Sequence, residues 1–280
     1  MSGDARVHRM SLKHTVFHRV NRPSTRRILE LAGTAVASVQ GGKAKITYDP
    51  QSGGWMKRTQ GGVTLMPYPY GMSVEQCLSF ATDVFLRDYM IRPGDVVLDI
   101  GAGIGTEALP FAHLAGDAGK VISVEAHPAT FAMLERVCRL NDLKNVELVQ
   151  AAVMDSDEPV MISDMREGFC QENRVGDPGG IEVPGVTIAD LVAKFNLDRI
   201  DFIKMNIEGA EVPALLGARD VLPIVRHAAI GCHDFLADET GEEFYRTMET
   251  VRALLQDAGF TVRRTQDPRP WAAGYLFAAR

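Results

Sequence analysis

The chain has 280 residues, 46% of them hydrophobic and 24% charged, with a formal net charge of −6. That is apolar material for one large core and a modest extension, and the charge balance gives no overall basic footprint for nucleic acid. No apolar run approaches the roughly 20 residues of a membrane helix, the N-terminal stretch has no apolar leader core, and Cys77, Cys138, Cys170 and Cys232 form no C-x-x-C pair; a reduced, cytoplasmic protein is expected.

In chain order, "HRVNRPSTRR" is a basic cluster, read as a solvated surface. "STRRILELAGTAVASVQ" has a serine N-cap candidate and helical apolar spacing. The following "AKITYDPQSGGWMKRTQGGVTLMPYP" is β-branched, with glycine pairs and prolines, and predicts short strands joined by turns. "SVEQCLSFATDVFLRDYM" returns to a helical pattern behind Ser73. From Gly94 the rhythm is regular. The strands "VVLDI", "VISVE", "VELVQAAV", "RIDFIKMN" and "RHAAIGC" alternate with helices. The helices are Ile104 to Leu114, "PATFAMLERVCRLN", "TIADLVAKF", "EVPALLGA" and the long "EEFYRTMETVRALLQDAG". "FTVRRT" and "GYLFAAR" close the series as a hairpin, because too few residues separate them for a helical crossover. The expected fold is α/β, a Rossmann-like seven-stranded, mostly parallel sheet with a C-terminal antiparallel hairpin strand and an N-terminal α+β extension. Residues 1–80 form the extension and 81–280 the main domain. Residues 155–185, polar and rich in glycine, proline and acids, interrupt the alternation as a lid or a surface excursion.

"DIGAGIG", Asp99 to Gly105, falls at a strand–helix junction where such sheets bind ligands. Gly101 and Gly103 allow close backbone approach, and the following helix offers free N–H groups. The third glycine of a dinucleotide fingerprint would stand at Thr106, so a pyrophosphate, and with it a nicotinamide dehydrogenase, is disfavoured. Glu125 closes the second strand, where an acid can accept from both hydroxyls of a ribose.

These features resemble the class I S-adenosylmethionine-dependent methyltransferases. "VVLDIGAGIG", "VISVEAHPATFAMLERVCRLNDLKNVELVQAAV", "VTIADLV", "IDFIKMNIEGAE" and "LLGA" resemble more narrowly the FkbM family, whose members mostly methylate hydroxyls of sugars, polyketides and related natural products. The resemblance spans roughly residues 90–235. It implies cofactor contacts at Asp99, Gly101, Gly103 and Glu125, with Ala152 where such enzymes receive the adenine. Where the family usually has an aspartate this chain has Asn206, which also leaves a catalytically silent cofactor-binding protein as the alternative. A small hydroxylated acceptor is implied, with no nucleic acid and no membrane. The first 80 residues would supply acceptor-pocket or dimer contacts, so a homodimer is one expected assembly.

A hydroxyl acceptor must lose a proton, to a base or under the influence of a divalent metal such as Mg. His233, in "GCHDF" after the fifth strand, is the candidate base, since an imidazole ordinarily titrates near pH 6.5; a loop histidine bonded to a carbonyl is the other reading. Asp234 is the candidate orienter, and Cys232 beside His233 resembles a thiol–imidazole pair by sequence only. Asn206 can hold cofactor or substrate without charge, or ligate a hard metal with Glu208 or Asp234. Glu208 either serves that chemistry or caps the next helix. Glu107 has the same ambiguity and would reach the cofactor's ammonium. His127 flanks the adenine or lies in a surface turn.

Overall fold

A computed structural model of the chain describes residues 20–41, 43–163, 176 and 179–280. Contacts divide it into two units, up to Ser73 and from Val74 onward. In the first unit a helix, α1 (Arg26–Gly41), accompanies a three-stranded antiparallel meander, β1 (Lys45–Asp49), β2 (Gly54–Thr59) and β3 (Gly62–Met66). Its small core gathers Ala37, Ile46 and Trp55. The Arg26 guanidinium lies 3.5 Å above the Tyr48 ring.

The second unit starts with α2 (Val74–Val84), shorter than the helical pattern to Met90 suggests. Then come β4 (Val96–Ile100), α3 (Ala108–Ala115), β5 (Lys120–Glu125), α4 (Pro128–Leu140) and β6 (Val146–Gln150). The apolar run "VELVQAAV" does not continue as one strand. It breaks at Ala151, whose N–H donates to the Glu125 carbonyl, and β7 (Ala152–Val153) pairs elsewhere. The region expected as an insertion lies partly outside the described residues. Its described parts form an antiparallel pair, β8 (Val160–Ile162) with β9 (Ile181–Val183). After it, β10 (Gly185–Val186) runs parallel to β7.

The chain continues through α5 (Ile188–Phe195), β11 (Ile200–Met205), α6 (Glu211–Leu216), β12 (Val225–Gly231) and α7 (Asp234–Thr240). It then forms α8 (Met248–Asp257), β13 (Thr261–Arg264), α9 (Pro270–Ala273) and β14 (Tyr275–Ala279). α5 opens on a reciprocal capping box between Thr187 and Asp190.

The seven-stranded sheet has the order β13-β14-β12-β11-β4-β5-β6. The inner pairs are parallel, and β14 runs antiparallel to both β12 and β13, as the short final connection requires. Side chains alternate across it with period two. Val97, Val121, Phe202 and Ala229 enter a core with Phe85 and Phe111. Their neighbours Leu98, Ile122, Ile203 and Ile230 enter the opposite core with Leu191, Leu215 and Val251. Each of the larger side chains among them contributes about 1.5–3 kcal/mol, and burial on both faces explains why these strands read as continuous apolar runs. All six residues of β11 are buried, and the alternation puts Lys204 and Asn206 on the same face as Phe202. The parallel strands β4, β5 and β11 therefore deliver the glycine loop, Glu125 and Asn206 to one carboxyl edge.

Candidate active site

Gly101 follows β4 at φ +72°, and a Cβ there would lie 2.1 Å from the Asn206 carbonyl oxygen. Only glycine lets the ends of β4 and β11 approach so closely. Gly103, at φ +56°, is different: a Cβ would meet nothing within 4 Å, so the loop is open at that point. Residues 104–107 stay in turns, and α3 starts at Ala108 rather than Ile104. Glu107 is thereby the N-cap of α3 and not a residue of its first turn. It is buried, it accepts the Thr106 hydroxyl at 2.7 Å, and burial raises its pKa while Lys204 pulls the other way.

Glu125 ties the loop to the second strand. One carboxylate oxygen accepts the Gly103 N–H at 3.0 Å and the other the His127 N–H at 2.9 Å. Burial raises its pKa, opposed by those two amides. Two of about four lone-pair sites are thus filled. His127 is buried as the N-cap of α4, which removes the surface-turn reading. Ala152 is buried too, and its N–H donates to the Pro184 carbonyl at 2.9 Å.

Asp99, expected at the ligand surface, has no exposed area. It pairs across the sheet with Lys204, whose Nζ lies 3.1 Å from its carboxylate. The same ammonium donates to the Gly101 carbonyl at 2.6 Å. Asp99 acts on the loop through this buried cation.

At the end of β11, Asn206 Oδ1 accepts the Tyr275 hydroxyl at 2.9 Å. Tyr275 is buried, and burial together with Glu107, Glu211 and Glu208 holds its pKa well above the ordinary phenol range, so it stays a donor. The charges of these three carboxylates oppose ionisation of the phenol. Glu208 is buried at φ +47°, a left-handed conformation that costs a non-glycine residue about 1 kcal/mol. The residue that folds back on a loop amide is Glu211: its carboxylate accepts the Gly209 N–H at 3.0 and 3.1 Å.

His233 is buried directly after β12 as the N-cap of α7, with Nδ1 2.9 Å from Glu211. Asp234, the expected orienter, is committed elsewhere: Oδ1 accepts the N–H groups of Thr247 and Met248, both at 3.0 Å. Those contacts interrupt the long helix expected from Glu242. Only a 3-10 turn (Glu243–Tyr245) and α8 form there, and the break presents the Thr247 hydroxyl to Glu211 at 3.0 Å. Cys232 is buried, and desolvation and Glu211 push its thiol far up, so no thiolate forms beside His233. Among the described residues no group of three or more His, Cys, Asp or Glu is placed to hold a metal ion. In the set expected from sequence, the Asn206 oxygen is held by Tyr275 and Asp234 caps α8.

Sequence reasoning passed over Tyr275, Glu211, Thr247 and Lys204. A lysine inside the apolar "IDFIKM" run was the available signal for the last. Nothing local marks Tyr275, which reaches the site from 69 residues away.

Residues 99–262 match the methyltransferase FkbM domain. The 31-O-demethyl-FK506 methyltransferase FkbM of Streptomyces tacrolimicus is 30% identical over 210 residues, 64% of this chain and 77% of that protein. Methyltransferase FkbM from Methylobacillus flagellatus is 17% identical with a TM-score of 0.49, over 74% of this chain but only 50% of its own. Aeropyrum pernix fibrillarin, solved with natively bound S-adenosylmethionine, is 12% identical with a TM-score of 0.43, over 84% and 98%. No helix among the described residues is long and apolar enough to cross a membrane. With the domain match covering more than half of its length, this chain belongs to the FkbM family of methyltransferases.

Proposed function

We propose that this chain is an S-adenosylmethionine-dependent O-methyltransferase, acting on a hydroxyl of a small molecule of sugar or polyketide type. The observation that carries the reading is His233, a buried imidazole on the carboxyl edge that also holds Gly103, Glu125 and Asn206. An amine needs no base beyond its own lone pair, whereas a hydroxyl does. The relative named for methylating 31-O-demethyl-FK506 supports the same acceptor class.

The residues fit the cofactor. Gly103 is open where a side chain would intrude. Glu125 keeps acceptor sites for ribose hydroxyls after binding two amides. Glu107 offers a carboxylate to an ammonium, Ala152 has its methyl left to offer an adenine, and Asp99 and Gly101 hold the loop. When bound, the cofactor supplies an electrophilic methyl on a sulfonium, whose sulfur keeps the bonding pair. The protein contributes alignment and proton removal. Tyr275 fixes the Asn206 oxygen, which leaves that amide's N–H donors for ligand. His233 takes the acceptor proton, and Glu208 lines the acceptor side.

Calorimetry on the full chain tests the cofactor assignment. Wild type should bind S-adenosylmethionine and its demethylated product, and Glu125→Ala should weaken both by about 10- to 100-fold, the worth of a charged hydrogen bond. No binding to folded protein, or an alanine variant indistinguishable from wild type, would sink the reading. In Glu208→Gln, which keeps the side chain's size, labelled-methyl transfer to a panel of sugars and polyketide-type hydroxyl compounds should fall at least about tenfold, the worth of a charged hydrogen bond. Unchanged transfer would remove Glu208 from the acceptor side.

A further inference from the structure

We propose that Glu211 is a positioning residue that locks His233 in the Nδ1–H tautomer, leaving the lone pair on Nε2 to receive the acceptor proton. This rests on His233 being the base. The geometry is a convergence on one carboxylate with no exposed area. Glu211 stands at the first position of α6, just after the loop that ends β11. Its oxygens accept the Gly209 N–H at 3.0 and 3.1 Å and the Thr247 hydroxyl at 3.0 Å. The imidazole Nδ1 approaches Oε1 at 2.9 Å. A carboxylate that gathers donors on every side accepts from the ring as well, so Nδ1 carries the hydrogen.

Which nitrogen is protonated is set by the bond the other one makes. With Nδ1–H pointed at Glu211, Nε2 is an acceptor. In the reaction the acceptor O–H bond breaks and its proton passes to Nε2. The electron pair left on oxygen would form the new bond to the methyl carbon of a bound sulfonium as the carbon–sulfur bond breaks, that bond's pair staying on sulfur. The ring becomes an imidazolium whose charge faces Glu211, so the same contact that sets the tautomer also stabilises the protonated base. The adjacent groups cannot substitute. Asp234 caps α8, and the Cys232 thiol is buried and held protonated.

The assignment predicts a spectroscopic signature independent of turnover. In the full chain carrying 15N-labelled histidine, the long-range 1H–15N spectrum of His233 should show a protonated Nδ1 and an imine-type Nε2. In Glu211→Gln the carboxamide oxygen goes to the Gly209 N–H and its NH2 faces the ring. The tautomer should reverse, and kcat should fall by about 10²–10⁴, the usual worth of a general base. Cofactor affinity should stay within about twofold. Glu211→Asp, which keeps the charge, should restore part of the Nδ1–H population and part of kcat. A wild-type ring found as the Nε2–H tautomer overturns the assignment, even if Glu211→Gln does not fold. Full kcat in a folded Glu211→Gln overturns it equally. Retained turnover in His233→Ala instead strikes the base reading alone, so the two failures are distinguishable.

Discussion

Replacing Lys204 with methionine is expected to destabilise the fold by about 3–5 kcal/mol, the cost of stranding one member of a buried ion pair. For a unit of this size that is a fall in melting temperature of about 10 °C. Lys204 is 1% exposed, and Asp99, 3.1 Å away, has no exposed area. Its ammonium faces the Phe85 ring at 5.6 Å and bonds the Gly101 carbonyl. It also draws down the pKa values of Glu107 and Glu125, so one cation balances several buried acids. Methionine fills the same space, which isolates the electrostatic loss from a cavity. The double variant Lys204→Met with Asp99→Leu should recover most of the stability, because it removes the stranded charge as well. It should not recover cofactor affinity, since the Gly101 carbonyl has lost its donor. A single-variant loss under about 1 kcal/mol would mean that the pair does not hold the loop.

His233→Ala is expected to keep cofactor affinity within about twofold while kcat falls by about 10²–10⁴. The imidazole contacts Glu211 and lies 6.0 Å from the Phe235 ring, so its removal disturbs the acceptor side and spares the Glu125–Gly103 bond. The competing route to an acidified hydroxyl is a divalent ion. Turnover that survives thorough chelation but is lost in His233→Ala assigns proton removal to the imidazole. Turnover that survives in His233→Ala and is lost on chelation assigns it to a metal.

The sheet was legible because its signals are local: apolar strands, a loop of glycines, and a hairpin too short for a crossover. Glu125 could be placed at the end of β5 for the same reason, since "VISVE" shows where the strand stops. The side-chain network behind the rim was not legible. Glu211 stood in plain view within "IEGAE", yet its partners come from the second residue after β12 and from the turn before α8. Asp234 was the natural orienter by proximity, but it opens α7 and its carboxylate is taken by the Thr247 and Met248 amides at the start of α8. The long final helix failed as an expectation because side-chain acceptors outcompete helix continuation around Thr247. From sequence, Asn206 was either a neutral contact or a lost carboxylate, with the neutral contact favoured. Its environment gives the exchange a reason: the position accepts from the Tyr275 phenol, whose ionisation Glu107, Glu211 and Glu208 already oppose, and a further negative charge there would add to that repulsion.

The insertion of β14 between β12 and β13 sets an order of assembly. The glycine loop and Glu125 belong to neighbouring strands, close together in the chain, and can be brought together early by short-range contacts. Tyr275 arrives on a strand that needs both flanking strands in place before all its backbone bonds close. As the polypeptide is synthesised, the Gly103–Glu125 bond can therefore form before the phenol that grips the Asn206 amide arrives. On the proposed function, a nascent chain halted before β14 would have its glycine loop tied to Glu125 while the Asn206 oxygen still lacked its donor, so cofactor capture would be separable from methyl transfer.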